Sequence, residues 1–294
     1  MMQTKRTPQA VQIDIQDEPL MVYSWEGTAK PALYFLHATG FHARCWDQII
    51  HRLPDYPAYA LDSRGHGQSV KSPPPISWHQ MGADAAGIAQ VLGLDRALGI
   101  GHSLGGNTLL RAAALVPDAF AGLLLIDPVV FPREKYILQS YDIDGHFVLN
   151  RRQNWDSWQE MRDRFTGRGS FAKWDDAILH DYCQYGLLSD DDGFTLACSP
   201  ELEAHIYAAE LLENNADIYD AIAKIQVPVW IMRCTTPKTD LNDFLSSPTA
   251  PNLAEQFANE RDIPMPDNTH FIPMESPDEV ANIIREFALE IASA

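Results

Sequence analysis

Apolar and polar residues alternate near the start of the chain, at Val11, Ile13 and Ile15 and again from Met21 to Trp25. A period of two predicts an opening pair of antiparallel strands. The pattern then changes. Short runs with no polar alternation follow at "PALYFLHA", "YPAYALDS", "ALGIGHS", "GLLLIDP" and "VPVWIMRC". Strands apolar on both faces suit a parallel sheet covered on both sides. Between the runs lie segments with helical spacing, "CWDQIIHRL", "MGADAAGIAQVLGL" and "NTLLRAAALV". Alternating strand and helix predicts an α/β protein with a mostly parallel sheet.

Alternation stops after Pro128. Residues from about 130 to 222 are rich in Trp, Tyr, Arg and Asp and show helical spacing without strand-like runs, as in "WDSWQEMRDRF", "WDDAILHDYCQYGLL" and "PELEAHIYAAELL". Val227 to Cys234 resumes the strand pattern, and "SPDEVANIIREFALEIA" closes the chain as an amphipathic helix with Ser276 as its expected N-cap. The predicted organisation is a sheet domain in two pieces, residues 1–129 and 223–294, interrupted by a helical unit at 130–222. Trp155, Trp158, Trp174, Tyr182 and Tyr185 are expected to form mostly the core of that unit, with one or two facing a pocket. The acidic "SDDDGF" reads as a solvated turn, because it lacks the spaced ligands of a calcium loop.

One short stretch carries candidate chemistry. Gly101-His102-Ser103-Leu104-Gly105 fits G-x-S-x-G, with a strand before it and a helix after. In that setting the pattern marks a tight strand-to-helix turn that lifts a serine hydroxyl above the sheet. The glycines leave room for strand and helix to approach, and the helix N-terminus adds free N–H donors. A serine hydroxyl is a weak nucleophile until a base accepts its proton. Among the ten histidines, His270 stands late, in a loop before the final helix, which returns it towards the elbow.

"FLHATGF" (35–41), "LDSRGHGQS" (61–69), "GHSLGG" (101–106) and "NTHFIPMESPDEV" (268–280) occur in an order that resembles the α/β-hydrolase family over nearly the whole chain. The chain is most similar to the capped, small-molecule serine hydrolase branch. The resemblance implies the α/β-hydrolase fold, a mostly parallel eight-stranded sheet flanked by helices, with a helical cap inserted after the sixth strand. It implies Ser103 as nucleophile and His270 as base, in the family order of Ser, acid, His.

The acid is open at this level. The usual place, shortly after "VPVWIMRC", holds Thr236 and Pro237, with Asp240 and Asp243 further on. Asp127, directly after "GLLLI", is the preferred reading, because some relatives carry their acid there and it ends a strand where such sites form. Asp240 and then Asp243 are the alternatives. The oxyanion donors implied are the backbone N–H of Leu104 and, by the family's HG-x pattern, that of Thr39, with Phe41 as the other option. Ala38 stands where the family usually has glycine. His37, His66 and His102 are expected to be structural.

Charge narrows the partners. Forty acidic against 22 basic residues give a net charge of −18, which repels nucleic acid and anionic membrane. The four cysteines show no metal-ligand spacing and read as reduced, buried thiols. No apolar stretch has the length of a signal peptide or a membrane span. The expectation is a cytoplasmic protein with a small-molecule substrate and neither metal nor cofactor. Whether it acts as a monomer or a homodimer is open. The leading function is hydrolysis of an ester, lactone or thioester through an acyl-enzyme. The alternatives are a small-molecule receptor on a hydrolase fold, and a carbon–carbon hydrolase or lyase using the same Ser/His pair.

Overall fold

The structure is a computed structural model describing residues 6–71, 73–136, 143–190, 193–212, 215–236 and 245–293. Strands β1 (Gln9–Ile15) and β2 (Glu18–Trp25) form the expected antiparallel opening. Next come β3 (Leu33–Leu36), helix α1 (Asp47–His51), β4 (Ala58–Leu61), α2 (Trp78–Val91), β5 (Ala97–His102), α3 (Leu104–Leu115) and β6 (Phe120–Ile126). After a long excursion, α7 (Ile218–Ile222) leads into β10 (Val229–Cys234), and β11 (Glu260–Met265), α8 (Ile272–Glu275) and α9 (Pro277–Ala292) end the chain.

Eight strands make one sheet in the order β1-β2-β4-β3-β5-β6-β10-β11. β2 pairs antiparallel with β1 and β4, and every other pairing is parallel. The central strands β3, β5 and β6 are buried at every position, which is why they read as unbroken apolar runs. Helices α2 and α3 cover one face, in a core with Leu109, Leu123 and Ile231. Helices α1 and α9 cover the other, where Phe287 stacks on Trp230 with ring centroids 4.3 Å apart.

Two elements depart from expectation. β11 was not anticipated, because five of its six residues face at least partly outward and Pro264 interrupts it. An edge strand tolerates both, since one row of its backbone groups needs no partner. The excursion between β6 and β10 is not purely helical. It holds α4 (Trp158–Phe165), α5 (Asp176–Tyr185) and α6 (Pro200–Leu212), but also a three-stranded antiparallel sheet of β7 (Asn154–Trp155), β8 (Leu187–Asp190) and β9 (Gly193–Leu196) in the order β7-β9-β8. The "SDDDGF" segment thus spans a hairpin, with residues 191–192 outside the described residues. Ser276 does sit at the N-cap of α9, but its hydroxyl accepts from Asn268 Nδ2 at 2.8 Å and caps no helix N–H.

Candidate active site

β5 and α3 meet at Ser103, whose φ of 57° and ψ of −120° lie where side-chain-bearing residues rarely go. Strain of this kind costs about 1–3 kcal/mol and persists only when the surroundings enforce it. Here Ser103 N–H donates to Ile126 O at 3.0 Å, and Ser103 O accepts from Gly106 N at 3.0 Å and Val129 N at 3.1 Å. The flanking glycines give the clearance the motif implied. A Cβ on Gly101 would lie 2.4 Å from Gly105 O, and one on Gly105 would lie 2.2 Å from Leu36 O.

The other two predicted side chains converge on Ser103. His270 Nε2 is 2.9 Å from Ser103 Oγ, and His270 Nδ1 is 2.6 Å from Asp127 Oδ2. The carboxylate accepts at Nδ1, so the ring carries its proton there and Nε2 faces the serine as an acceptor. Asp127, at the carboxyl end of β6, is wholly buried. Its second oxygen, Oδ1, accepts from Ser247 Oγ at 2.5 Å, Cys234 N at 3.3 Å and Thr249 Oγ1 at 3.4 Å. These donors compensate a charge that has lost its water. The alternative acids Asp240 and Asp243 lie outside the described residues. Ser247 and Thr249 were not singled out in the sequence. A serine and a threonine in a loop carry no signal until their carboxylate is known.

Two buried histidines brace the loop at 37–41. His37 Nδ1–H donates to Ala38 O at 2.8 Å while its Nε2 accepts from Ser63 N at 2.9 Å. His66 Nδ1–H donates to Arg64 O at 3.0 Å and its Nε2 accepts from Gly40 N at 3.0 Å. Burial, with the neighbouring His66, holds His37 well below the ordinary range, and burial lowers His66 to about 3. Both rings are therefore neutral acceptors at physiological pH. His102 Nε2–H donates to His270 O at 2.8 Å and anchors the loop that carries His270. Phe41 N–H is spent on Ala38 O at 3.1 Å. The N–H groups of Thr39 and Leu104 make no hydrogen bond to the described residues, and both residues are buried. That leaves these two, rather than Phe41, as available donors.

Ser103, His270 and Thr39 open into a cavity of about 440 Å³, within the size range of small-molecule sites. Its aromatic wall includes Phe41, Phe171, Trp174, Tyr182 and Phe271. Trp174 and Tyr182 thus belong both to the buried cluster of the excursion and to the pocket. Trp155 is buried in that cluster, Trp158 packs against it, and Tyr185 lies under the Arg44 guanidinium at 3.9 Å. All four cysteines are buried and free. Among the described residues, no helix is long and apolar enough to cross a membrane.

Elbow, sheet order and the loop histidines together define an α/β-hydrolase scaffold. The chain belongs to the alpha/beta hydrolase family, whose model matches residues 33–283. Among curated relatives, it is 35% identical to Lipase LipV of Mycobacterium tuberculosis over 35% of this chain and 40% of the lipase. It is 34% identical to Esterase Rv0045c of the same organism over 51% of this chain and 50% of the esterase. The match therefore spans half or less of these relatives' length. Among solved structures, E-2-(acetamidomethylene)succinate hydrolase superposes with a TM-score of 0.74 at 22% identity, covering 96% of this chain and 99% of the other. The peroxisomal alpha-beta-hydrolase Lpx1 of Saccharomyces cerevisiae gives 0.76 at 16% identity, covering 100% and 91%.

Proposed function

We propose that the chain is a serine hydrolase that cleaves a small-molecule carboxylic ester, lactone or thioester through an acyl-enzyme. The observation that carries this reading is the continuous relay Ser103–His270–Asp127, with contacts of 2.9 and 2.6 Å, opening into a cavity of about 440 Å³. His270 Nε2 takes the proton as Ser103 Oγ attacks the carbonyl carbon. Asp127 holds the Nδ1–H tautomer and stabilises the imidazolium that forms. Leu104 and Thr39 N–H receive the oxyanion, a contribution worth about 3 kcal/mol per donor in comparable sites. His270 then gives its proton to the leaving alcohol, and a water activated by the same ring releases the acid. In this reading the segment 130–222 is the cap over the pocket. The relatives named as a lipase and an esterase support the ester class.

A fluorophosphonate probe tests the reading. The wild-type protein is expected to gain one phosphonyl group at Ser103, and Ser103→Ala none. A panel of nitrophenyl esters of increasing acyl length should show turnover that is lost in Ser103→Ala. An unlabelled wild type that is nevertheless stabilised thermally by pocket ligands would be a receptor. Turnover without any acyl-enzyme in mass spectra would indicate a lyase-type reaction.

A further inference from the structure

The chain carries a net charge of −18, yet the cavity walls run the other way. Arg151, Arg152 and Arg164 line the cavity, with Glu203 as the only carboxylate among the described lining residues. A pocket for a wholly neutral ester has no use for this reversal, because each guanidinium beside an apolar chain must be paired or hydrated.

The three arginines are not equivalent. Arg151 is committed to a salt bridge with Glu203 and donates to Tyr182 Oη at 2.9 Å. Arg152 forms a two-point pair with Glu160, donates to Asn154 O at 2.7 Å and lies over the Trp155 ring at 4.3 Å. Arg164 is exposed at the cavity wall and its charge is felt by Glu160 one turn earlier, but it makes no salt bridge and no side-chain hydrogen bond to the described residues. A basic residue in the last turn of a helix has a general electrostatic benefit, and α4 ends with both Arg162 and Arg164. That benefit does not account for the second arginine facing the pocket. Beside Arg164, Phe165 and Phe171 stack with centroids 4.4 Å apart and planes 8° apart, and Ser170 also lines the cavity. The lining thus combines Ser103, an aromatic wall and a guanidinium whose five donors make no hydrogen bond to the described residues.

Building on the serine hydrolase reading, we infer that the preferred substrate is an ester bearing a free carboxylate at the end of a short apolar chain, and that Arg164 receives that carboxylate. Arg164 is a binding residue for specificity and takes no part in bond breaking. Salt alone would be a poor probe, because it screens both this contact and the repulsion between an anion and the acidic surface.

The test compares monoethyl glutarate with ethyl pentanoate, which differ by a carboxylate in place of the terminal methyl. Acid release is followed by pH-stat. The wild-type protein is expected to favour the half-ester in kcat/KM. Arg164→Gln should lower the ratio of the two kcat/KM values by about tenfold or more, mainly through KM, as for loss of one charge-assisted contact. Arg164→Lys should recover part of it. A wild-type preference for the neutral ester, or a ratio unmoved by Arg164→Gln, overturns the inference. Calorimetry on the Ser103→Ala background reads the same selection without turnover. Loss of selective half-ester binding there, with ester turnover intact in the wild type, defeats the carboxylate site alone. Selective binding without turnover or fluorophosphonate labelling defeats the serine hydrolase reading alone.

Discussion

Asp127 carries its carboxylate with no exposure to water, and its φ of 44° places it in the left-handed region. Both features cost free energy, and both aim Oδ2 at His270. Asp127→Asn keeps the shape but offers the ring an amide in place of an anion. It should lower kcat on a nitrophenyl ester about 10⁴-fold, as in other triads, with the fold intact by circular dichroism. Ser247→Ala removes one donor to Oδ1 and should cost far less, about tenfold in kcat. Near-normal turnover in Asp127→Asn would move the acid elsewhere. Ser103 and His270, the proposed nucleophile and base, are legible because glycine spacing and chain position mark them. The proposed acid stays open in the sequence because Asp127 and His270 lie 143 residues apart, a distance no local pattern spans. The pocket arginines were illegible for another reason. On "WDSWQEMRDRF" Arg164 reads as part of a solvated helix face, and it is indeed exposed; only the fold shows that this face also borders the cavity.

At the level of elements, the buried strands carry the clearest signal, since every residue of β3, β5 and β6 is sequestered and almost nothing polar dilutes the run. β7, β8 and β9 escaped because they are two to four residues long and sit in aromatic-rich sequence where helical spacing dominates. At Gly105, α3 runs close against the end of β3. Gly105→Ala forces a methyl group against the Leu36 carbonyl oxygen, so helix and strand must separate. We expect a loss of about 3 kcal/mol in urea unfolding, the upper range for overpacking. Fluorophosphonate labelling should slow as well, because Leu104 N–H moves with the helix. Unchanged stability would mean the approach is looser than described.

For the whole molecule, buried histidines set the response to acid. Burial lowers His66 to about 3; burial, helped by the adjacent His270, lowers His102 to about 3. The unfolded chain takes up protons at both positions below about pH 6.5, whereas the folded chain resists until about 3. Their contribution is therefore intact above pH 6.5 and is lost as the pH falls. Asp62, raised to about 6 by burial, acts in the opposite sense, since the folded chain protonates it first. At pH 5 the two histidines cost on the order of 4 kcal/mol and Asp62 returns about 1 kcal/mol. The urea midpoint should accordingly drop between pH 7.5 and pH 5. A midpoint that holds or rises would contradict this.

The direct pairing of β6 with β10 has a wider consequence. The chain leaves the sheet at one strand and rejoins it at the adjacent one, so the excursion before α7, whose Ile218 and Ile222 pack into the sheet core, can vary in length and shape while the eight-strand register stays put. Ser103, Asp127 and His270 all lie outside that excursion, whereas Arg151, Arg164, Phe171 and Trp174 all lie within it. In the proposed reading, the reacting groups therefore sit on the sheet domain, while much of the cavity wall, though not Thr39, Phe41 or Phe271, is supplied by the excursion.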